Sequence, residues 1–180
     1  HPVPVLPQHA PRRGRRRSLP ARRVQNLSVA VRLLIQRVLR AAVHIDGRIH
    51  AQIQRGFLVL VGFEAADTEE DVAYGVRKLA LMRLFGDASG AINASIKEVD
   101  GSFLVVSQFT LHASTKKGNR PSFYRAAVPA QAIPLYESFL EQLWNVAEVP
   151  VKSGVFGADM QVELINDGPV TVWLDTRQKE

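Results

Sequence analysis

The sequence predicts a mixed α/β (α+β) domain: a β-sheet with two main helices packed on it. Three observations carry that prediction. Short apolar runs recur, such as Phe57-Leu58-Val59-Leu60-Val61 and Phe103-Leu104-Val105-Val106. Two stretches place apolar residues at helical spacing: Val72, Val76, Leu79 and Ala80, then Leu135, Phe139, Leu140 and Leu143. Strand and helix signals alternate along the chain, with no internal repeat.

Composition sets the outer bounds. A chain of 180 residues, 46% hydrophobic and 22% charged, has the makeup of about one globular domain. No apolar run reaches the ~18 residues of a membrane span. The absence of cysteine excludes a disulfide framework, a thiolate zinc site and a cysteine nucleophile, and it fits a cytoplasmic setting. The net charge of +6 divides unevenly. Residues 1–30 hold seven arginines and no acid, leaving 16 basic residues against 17 acidic ones from Val31 onward. The basic balance belongs to that leading segment and says nothing of nucleic-acid binding by the folded body.

Residues 1–30 also hold five of the ten prolines and show no apolar periodicity, so they read as a disordered Arg/Pro-rich extension. A targeting sequence, an RNA-touching arm and upstream sequence foreign to the natural protein all fit that composition. The domain itself spans residues 31–176, followed by a short tail at 177–180.

Leu33, Ile35 and Arg37 begin a strand. Val43-His44-Ile45 faces Ile49 and Ile53 across Asp46-Gly47, a pair suited to a tight hairpin because both positions accept positive φ. Phe57 to Val61, bounded by Gly56 and Gly62, reads as a strand buried on both faces. Thr68 with Glu69, Glu70 and Asp71 marks a helix start, and the helix is expected to end near Arg83. Asp87-Ala88-Ser89-Gly90 is a turn. Phe103 to Leu111 reads as a central strand with its polar residues near the C-terminal end. Residues 112–125 form a loop, and a helix follows with Pro134 in its first turn. Three further strands are expected: Val151 to Phe156, Met160 to Ile165 and Val170 to Leu174. Gly157 and Asn166-Asp167-Gly168-Pro169 separate them.

Familiar catalytic patterns are missing. The five histidines show no ligand-spaced pair with acids on a helix, and there is no glycine-rich phosphate loop. Neither Ser107 nor Thr110 lies in a nucleophile elbow. Three places still draw notice. Ser107-Gln108-Phe109-Thr110 puts polar groups and a ring where an apolar strand emerges, and backbone amides there suit a developing oxyanion; an ordinary polar strand end looks the same. Lys116, Lys117, Arg120 and Arg125 make the stretch from Gly101 to Tyr136 locally +4 without one acid. That loop fits phosphates or plain solvent. Asn166-Asp167-Gly168-Pro169 interrupts two apolar runs, and base rates alone favour a trans Gly-Pro bond there.

These same stretches carry a resemblance. The chain resembles the D-aminoacyl-tRNA deacylases through five ordered motifs between about residues 31 and 175: Arg32-Leu33-Leu34-Ile35-Gln36-Arg37-Val38, Ser107-Gln108-Phe109-Thr110-Leu111, Lys117-Gly118-Asn119-Arg120-Pro121-Ser122-Phe123, Phe156-Gly157-Ala158-Asp159-Met160 and Asn166-Asp167-Gly168-Pro169-Val170-Thr171. Three positions depart from the family pattern. Val31 stands where the family usually starts with methionine. His112 replaces a common tyrosine, with an expected effect on the pocket rim. Asn119 replaces a frequent basic residue, which removes a phosphate contact.

The resemblance implies a homodimer with active sites at the subunit interface and tRNA as macromolecular partner, with no cofactor, no metal and no membrane. It implies that the Gly168-Pro169 bond is cis and enters the partner's pocket, where its backbone carbonyls hold the substrate α-amino group and exclude an L side chain. Glycyl-tRNA mischarged on an alanine tRNA is then a substrate alongside D-aminoacyl-tRNA. Amides of Phe109 and Thr110 would stabilise the oxyanion, Ser107 and Gln108 would position the ester or terminal adenosine, and Asn166 and Thr171 would support the pocket wall. The ribose 2′-hydroxyl would assist attack, and Lys116, Lys117, Arg120 and Arg125 would hold the acceptor-stem backbone. Two rival readings predict different chemistry: a non-catalytic RNA-binding module of the same fold, and a hydrolase with Thr110 as covalent nucleophile.

Overall fold

The computed structural model describes residues 30–179. The expectation of disorder for residues 1–29 lies outside the described residues. The predicted mixed sheet with two helices is what the chain forms.

Its longest inner strand, β1 (Arg32–Ile45), organises the rest. The chain reverses at Asp46 and Gly47, with φ of 50° and 71°, into β2 (Arg48–Ile53), as the Asp-Gly pair predicts. β3 (Gly56–Gly62) then pairs antiparallel with the first half of β1, from Arg32 opposite Gly62 to Val38 opposite Gly56. Helix α1 (Glu69–Ala80) starts where predicted. Asp71 Oδ2 accepts the Thr68 N–H and hydroxyl, each at 3.0 Å, and the acids of the first turn oppose the positive helix end. The short pair β4 (Phe85–Gly86) and β5 (Ile92–Ala94) flanks the Asp87 turn.

β6 (Ser102–Ser107) lies parallel to β3, and β7 (Val151–Ser153) parallel to β6. Parallel neighbours need long crossovers, and α1 and α2 (Pro129–Ala147) supply the helical parts of the two. β3 and the Phe103–Val106 stretch of β6 are apolar throughout because both faces of the sheet are covered. Phe57, Val59, Phe103 and Val105 join α1 and α2 in one core. Leu58, Leu104 and Val106 join Val38, Val43 and Ile53 in a second, on the opposite face.

Four expectations need correction, the first being that the strand predicted from Val151 to Phe156 stops at Ser153. The strand predicted from Phe103 to Leu111 stops at Ser107, and Phe109–His112 form a 3-10 turn. Helix α2 begins five residues before Pro134, with Pro129 in its first turn. Pro134 is therefore interior, and it is tolerated because the carbonyl it leaves unpaired, that of Ala130, is on an exposed residue at the helix start. Finally, Met160–Ile165 and Val170–Leu174 are one strand, β8 (Gln161–Asp175), running antiparallel along the free side of β1 from Arg32 opposite Asp175 to His44 opposite Gln161. Between the pairs Gln36 to Thr171 and Val38 to Asn166, β1 supplies only Arg37 while β8 supplies residues 167 to 170. The Asn-Asp-Gly-Pro motif is thus a bulge inside a strand. Among the described strands β8 pairs only with β1, so Pro169 costs no ladder bond on the other side.

Candidate active site

β3 and β6 end side by side, with Val61 opposite Ser107, at the carboxyl ends of two parallel strands. Gln108 N–H donates to Val61 O at 2.7 Å, which keeps the chain on β3 for one more residue before it turns. This close approach requires Gly62: a Cβ there would lie 2.6 Å from Gln108 O. The carboxyl ends of such strands are where open α/β sheets leave a crevice, and a cavity of about 330 Å³ opens there.

Ser107, Gln108 and Phe109 line the cavity, as do Phe156 to Met160 between β7 and β8. Gly157 turns that second segment with φ of 76°. Gln108 Nε2 donates to Thr110 Oγ1 at 2.6 Å, so the Thr110 hydroxyl faces an amide, which is no base. The Phe109 ring is exposed and meets Phe123 edge to face, centroids 5.1 Å apart. The first N–H groups of a helical turn have no partner within it, here those of Phe109 and Thr110.

The other expected site residues divide between two places. Lys116, Lys117 and Arg120 are exposed on a loop pinched by the Ser114–Ser122 bridge. Arg125 differs from them: its Nε lies 3.3 Å from Glu64 Oε1, a carboxylate only 4% exposed. Asn166, Gly168, Pro169 and Thr171 do not line the cavity of their own chain. Asn166 Nδ2 donates to Arg37 O at 3.1 Å and Val170 O at 3.0 Å, closing the bulge, and Gln36 Nε2 donates to Thr171 Oγ1 at 3.5 Å. The Gly168–Pro169 bond is cis, correcting the trans turn that base rates favour; those rates average over all X-Pro bonds and do not contain this bulge.

Arg37 braces this unit and was not singled out as functional in the sequence. Its Nη1 donates to Leu84 O at 2.7 Å, and its Nε lies 3.2 Å from both Asp167 O and Asp167 Oδ2. The signal lay in its place within the first motif. His112 is also corrected: it is fully buried and not on the rim, with Nδ1 3.1 Å from Glu64 Oε1. Beside that pair, burial pushes the Asp67 carboxyl up to about 7, against the lowering effect of the Glu64 N–H it accepts at 2.7 Å. Among the described residues no group of three or more His, Asp or Glu is placed to hold a metal ion. None of the described helices is long and apolar enough to cross a membrane.

A family model described as D-Tyr-tRNA(Tyr) deacylase matches residues 34–175. The chain belongs to the D-Tyr-tRNA(Tyr) deacylase family. Family membership makes it a hydrolase of aminoacyl-tRNA esters. Among its relatives, the D-aminoacyl-tRNA deacylase of Akkermansia muciniphila is 61% identical over 150 residues, 83% of this chain and 100% of that protein. The D-aminoacyl-tRNA deacylase of Flavobacterium johnsoniae is 52% identical over the same shares. Among solved structures, a c-Myc DNA unwinding element binding protein superposes with a TM-score of 0.75 at 42% identity, covering 79% of this chain and 97% of that one. A structure described as that of a probable eukaryotic D-amino acid tRNA deacylase gives 0.71 at 19% identity over 81% and 99%, which speaks for the fold alone. Four of the five motifs meet at two separate features of this fold, the cavity lined by Ser107–Phe109 and Phe156–Met160 and the bulge at Asn166–Thr171 braced by Arg37, while Lys117–Phe123 lies on the exposed loop.

Proposed function

We propose that the protein removes D-amino acids from mischarged tRNA, and glycine from alanine tRNA, while rejecting L-aminoacyl-tRNA through a Gly168–Pro169 unit lent by a second subunit. The observation that carries this reading is a separation. The cavity lies at Ser107, Gln108 and Phe109, whereas Gly168 and Pro169 lie outside its lining on the same chain. If both features touch one substrate, the second must come from another copy, so the working unit is a homodimer.

In this scheme the aminoacyl ester enters the cavity with its carbonyl oxygen toward the Phe109 and Thr110 amides. Water adds to the carbonyl carbon, the resulting oxyanion is held by those donors, and collapse expels the ribose 3′-oxygen, which takes up a proton. Free amino acid and tRNA leave. The ester is already activated, so orientation and oxyanion stabilisation are the main demands. Ser107 and Gln108 position the ester or the terminal adenosine, and the neighbouring ribose 2′-hydroxyl assists attack. Thr110 is not the nucleophile, since the amide of Gln108 beside its hydroxyl cannot take the proton.

Handedness is read by backbone. The Gly168–Pro169 carbonyls accept the substrate α-ammonium group, and an L side chain would run into the main chain itself. A site that excludes one hand without gripping the other accepts many D side chains and achiral glycine. Lys116, Lys117 and Arg120 contact acceptor-stem phosphates, a salt-sensitive hold with little base information. Asn166 and Thr171 keep the bulge in shape. The direct test offers D-tyrosyl-tRNA and L-tyrosyl-tRNA at catalytic enzyme levels. Release of only the D-amino acid over many turnovers supports the scheme; stoichiometric binding without release contradicts it.

A further inference from the structure

We propose that the buried pair Glu64–His112 is a positioning device for deacylation: it fixes the Gln108–Thr110 turn against β3 and, through Arg125, ties that turn to the cationic loop. The inference rests on the deacylase reading above and adds residues to it.

His112 closes the 3-10 turn that begins at Phe109. Its ring is fully buried and reaches back over β3 to Glu64, two residues beyond the strand end. The fit is close, because a Cβ on Gly62 would lie 3.0 Å from His112 Cδ2 and 3.2 Å from Nε2. Glu64 meanwhile faces the loop side. It bridges to Ala126 through the backbone and meets the Arg125 guanidinium through the same Oε1 that faces His112. A single carboxylate oxygen therefore touches the last residue of the pocket turn and the last cation of the loop.

The charges indicate how the pair works. Arg125 and Asp67 both lie beside Glu64, and an N–H on His112 Nδ1 gives Glu64 Oε1 a second donor next to the guanidinium. His112 Nε2 lies toward Gly62, where no partner is found among the described residues. An apolar pair would fill this space without that polar cost. What the hydrogen bond adds is direction, and direction is what amides aimed at an oxyanion need. On this account Arg125 acts through Glu64 on the turn, unlike Lys116, Lys117 and Arg120.

Steady-state deacylation of D-tyrosyl-tRNA by dimeric full-length enzyme tests this. His112→Leu removes the donor but keeps an apolar filling, and His112→Asn keeps an N–H where Nδ1 stood. His112→Leu is expected to lower kcat about tenfold with KM within about twofold, and His112→Asn to restore kcat to within about threefold of wild type. Arg125→Met is expected to lower kcat, whereas Lys117→Met raises KM. Equal kcat in His112→Leu and wild type, or equal losses in His112→Leu and His112→Asn, overturns the inference. If His112→Leu does not fold, nitrogen NMR of wild-type histidines decides. The inference requires a proton on His112 Nδ1 facing Glu64 Oε1, and a ring that is bare on Nδ1 overturns it. A wild type that releases no D-tyrosine overturns the deacylase reading together with this inference. Wild-type turnover with an unaffected His112→Leu overturns the inference alone.

Discussion

Arg37 and Gly168 meet closely: a Cβ on Gly168 would lie 2.9 Å from Arg37 Nη2, and also 2.9 Å from Val170 Cγ2 and 3.2 Å from the Val170 backbone nitrogen. Gly168 also has φ of +121°, a conformation that L side chains rarely adopt. The bulge that carries the proposed stereochemical gauge is thus held between a glycine that must stay bare and an arginine anchored to Leu84 O and Asp167 O.

Gly168→Ala is therefore expected to fail on two counts, contact and backbone strain. The expected outcome is a loss of about tenfold or more in kcat/KM for D-tyrosyl-tRNA, with a lowered Tm. Deacylation kinetics and a thermal melt on the same preparation check both. Unchanged turnover with unchanged rejection of L-tyrosyl-tRNA would count against the scheme.

Arg37→Met keeps the stem but removes the bonds to Leu84 O and Asp167 O. Each lost bond to a charged group is worth about 1.5–3 kcal/mol at most, less where solvent substitutes. The bulge should loosen while the fold persists. The measurable signs are faster amide exchange at Asp167 and Gly168 and a reduced preference for D over L substrate.

Lys116, Lys117 and Arg120 lie on an exposed loop apart from the cavity lining. Alanine at any of them should raise KM and leave kcat near wild type. If each holds a phosphate, the slope of log affinity against log salt should fall by about 0.7–0.9 per substitution. Filter binding at several salt concentrations measures it.

Asp67 offers a stability prediction with a definite sign. Its folded pKa, raised to about 7 by burial, exceeds the ordinary 3.8. Between those values the folded state binds more protons than the unfolded state, so this group's contribution weakens as pH rises and is most unfavourable above about 7. Asp67→Asn removes that dependence and keeps an acceptor for the Glu64 N–H. Its melting temperature relative to wild type should therefore rise from about pH 4 to about pH 8, a gain of about 2–4 °C for each kcal/mol recovered. A relative Tm that falls over that range would contradict the assignment.

Much of this was legible in the chain because the signals are local. Asp46-Gly47 specifies its own turn, Phe57 to Val61 announces a strand covered on both faces, and Thr68 with Asp71 caps its own helix. The failures were non-local. Asn166-Asp167-Gly168-Pro169 has turn chemistry, and only its register against Gln36 and Val38 makes it a bulge within β8. Phe109 to Leu111 continue an apolar pattern, yet the chain leaves the sheet after Ser107, where the pairing of β6 with β3 ends at Val61. Glu64 and His112 are 48 residues apart, so neither predicts its partner by spacing. The cationic loop was visible as charge, but Arg125 could be told from its neighbours only by what it touches.

Subunit complementation tests the central claim most directly. Gln108→Ala weakens the pocket and Gly168→Ala the gauge, so each alone should keep about a tenth of wild-type activity or less. Unfolding and refolding an equal mixture gives about half mixed dimers by statistics, each with one intact pocket facing one intact gauge, and so about a quarter of wild-type activity on D-tyrosyl-tRNA. No recovery, with mixed dimers shown to be present, would contradict a gauge lent across the interface.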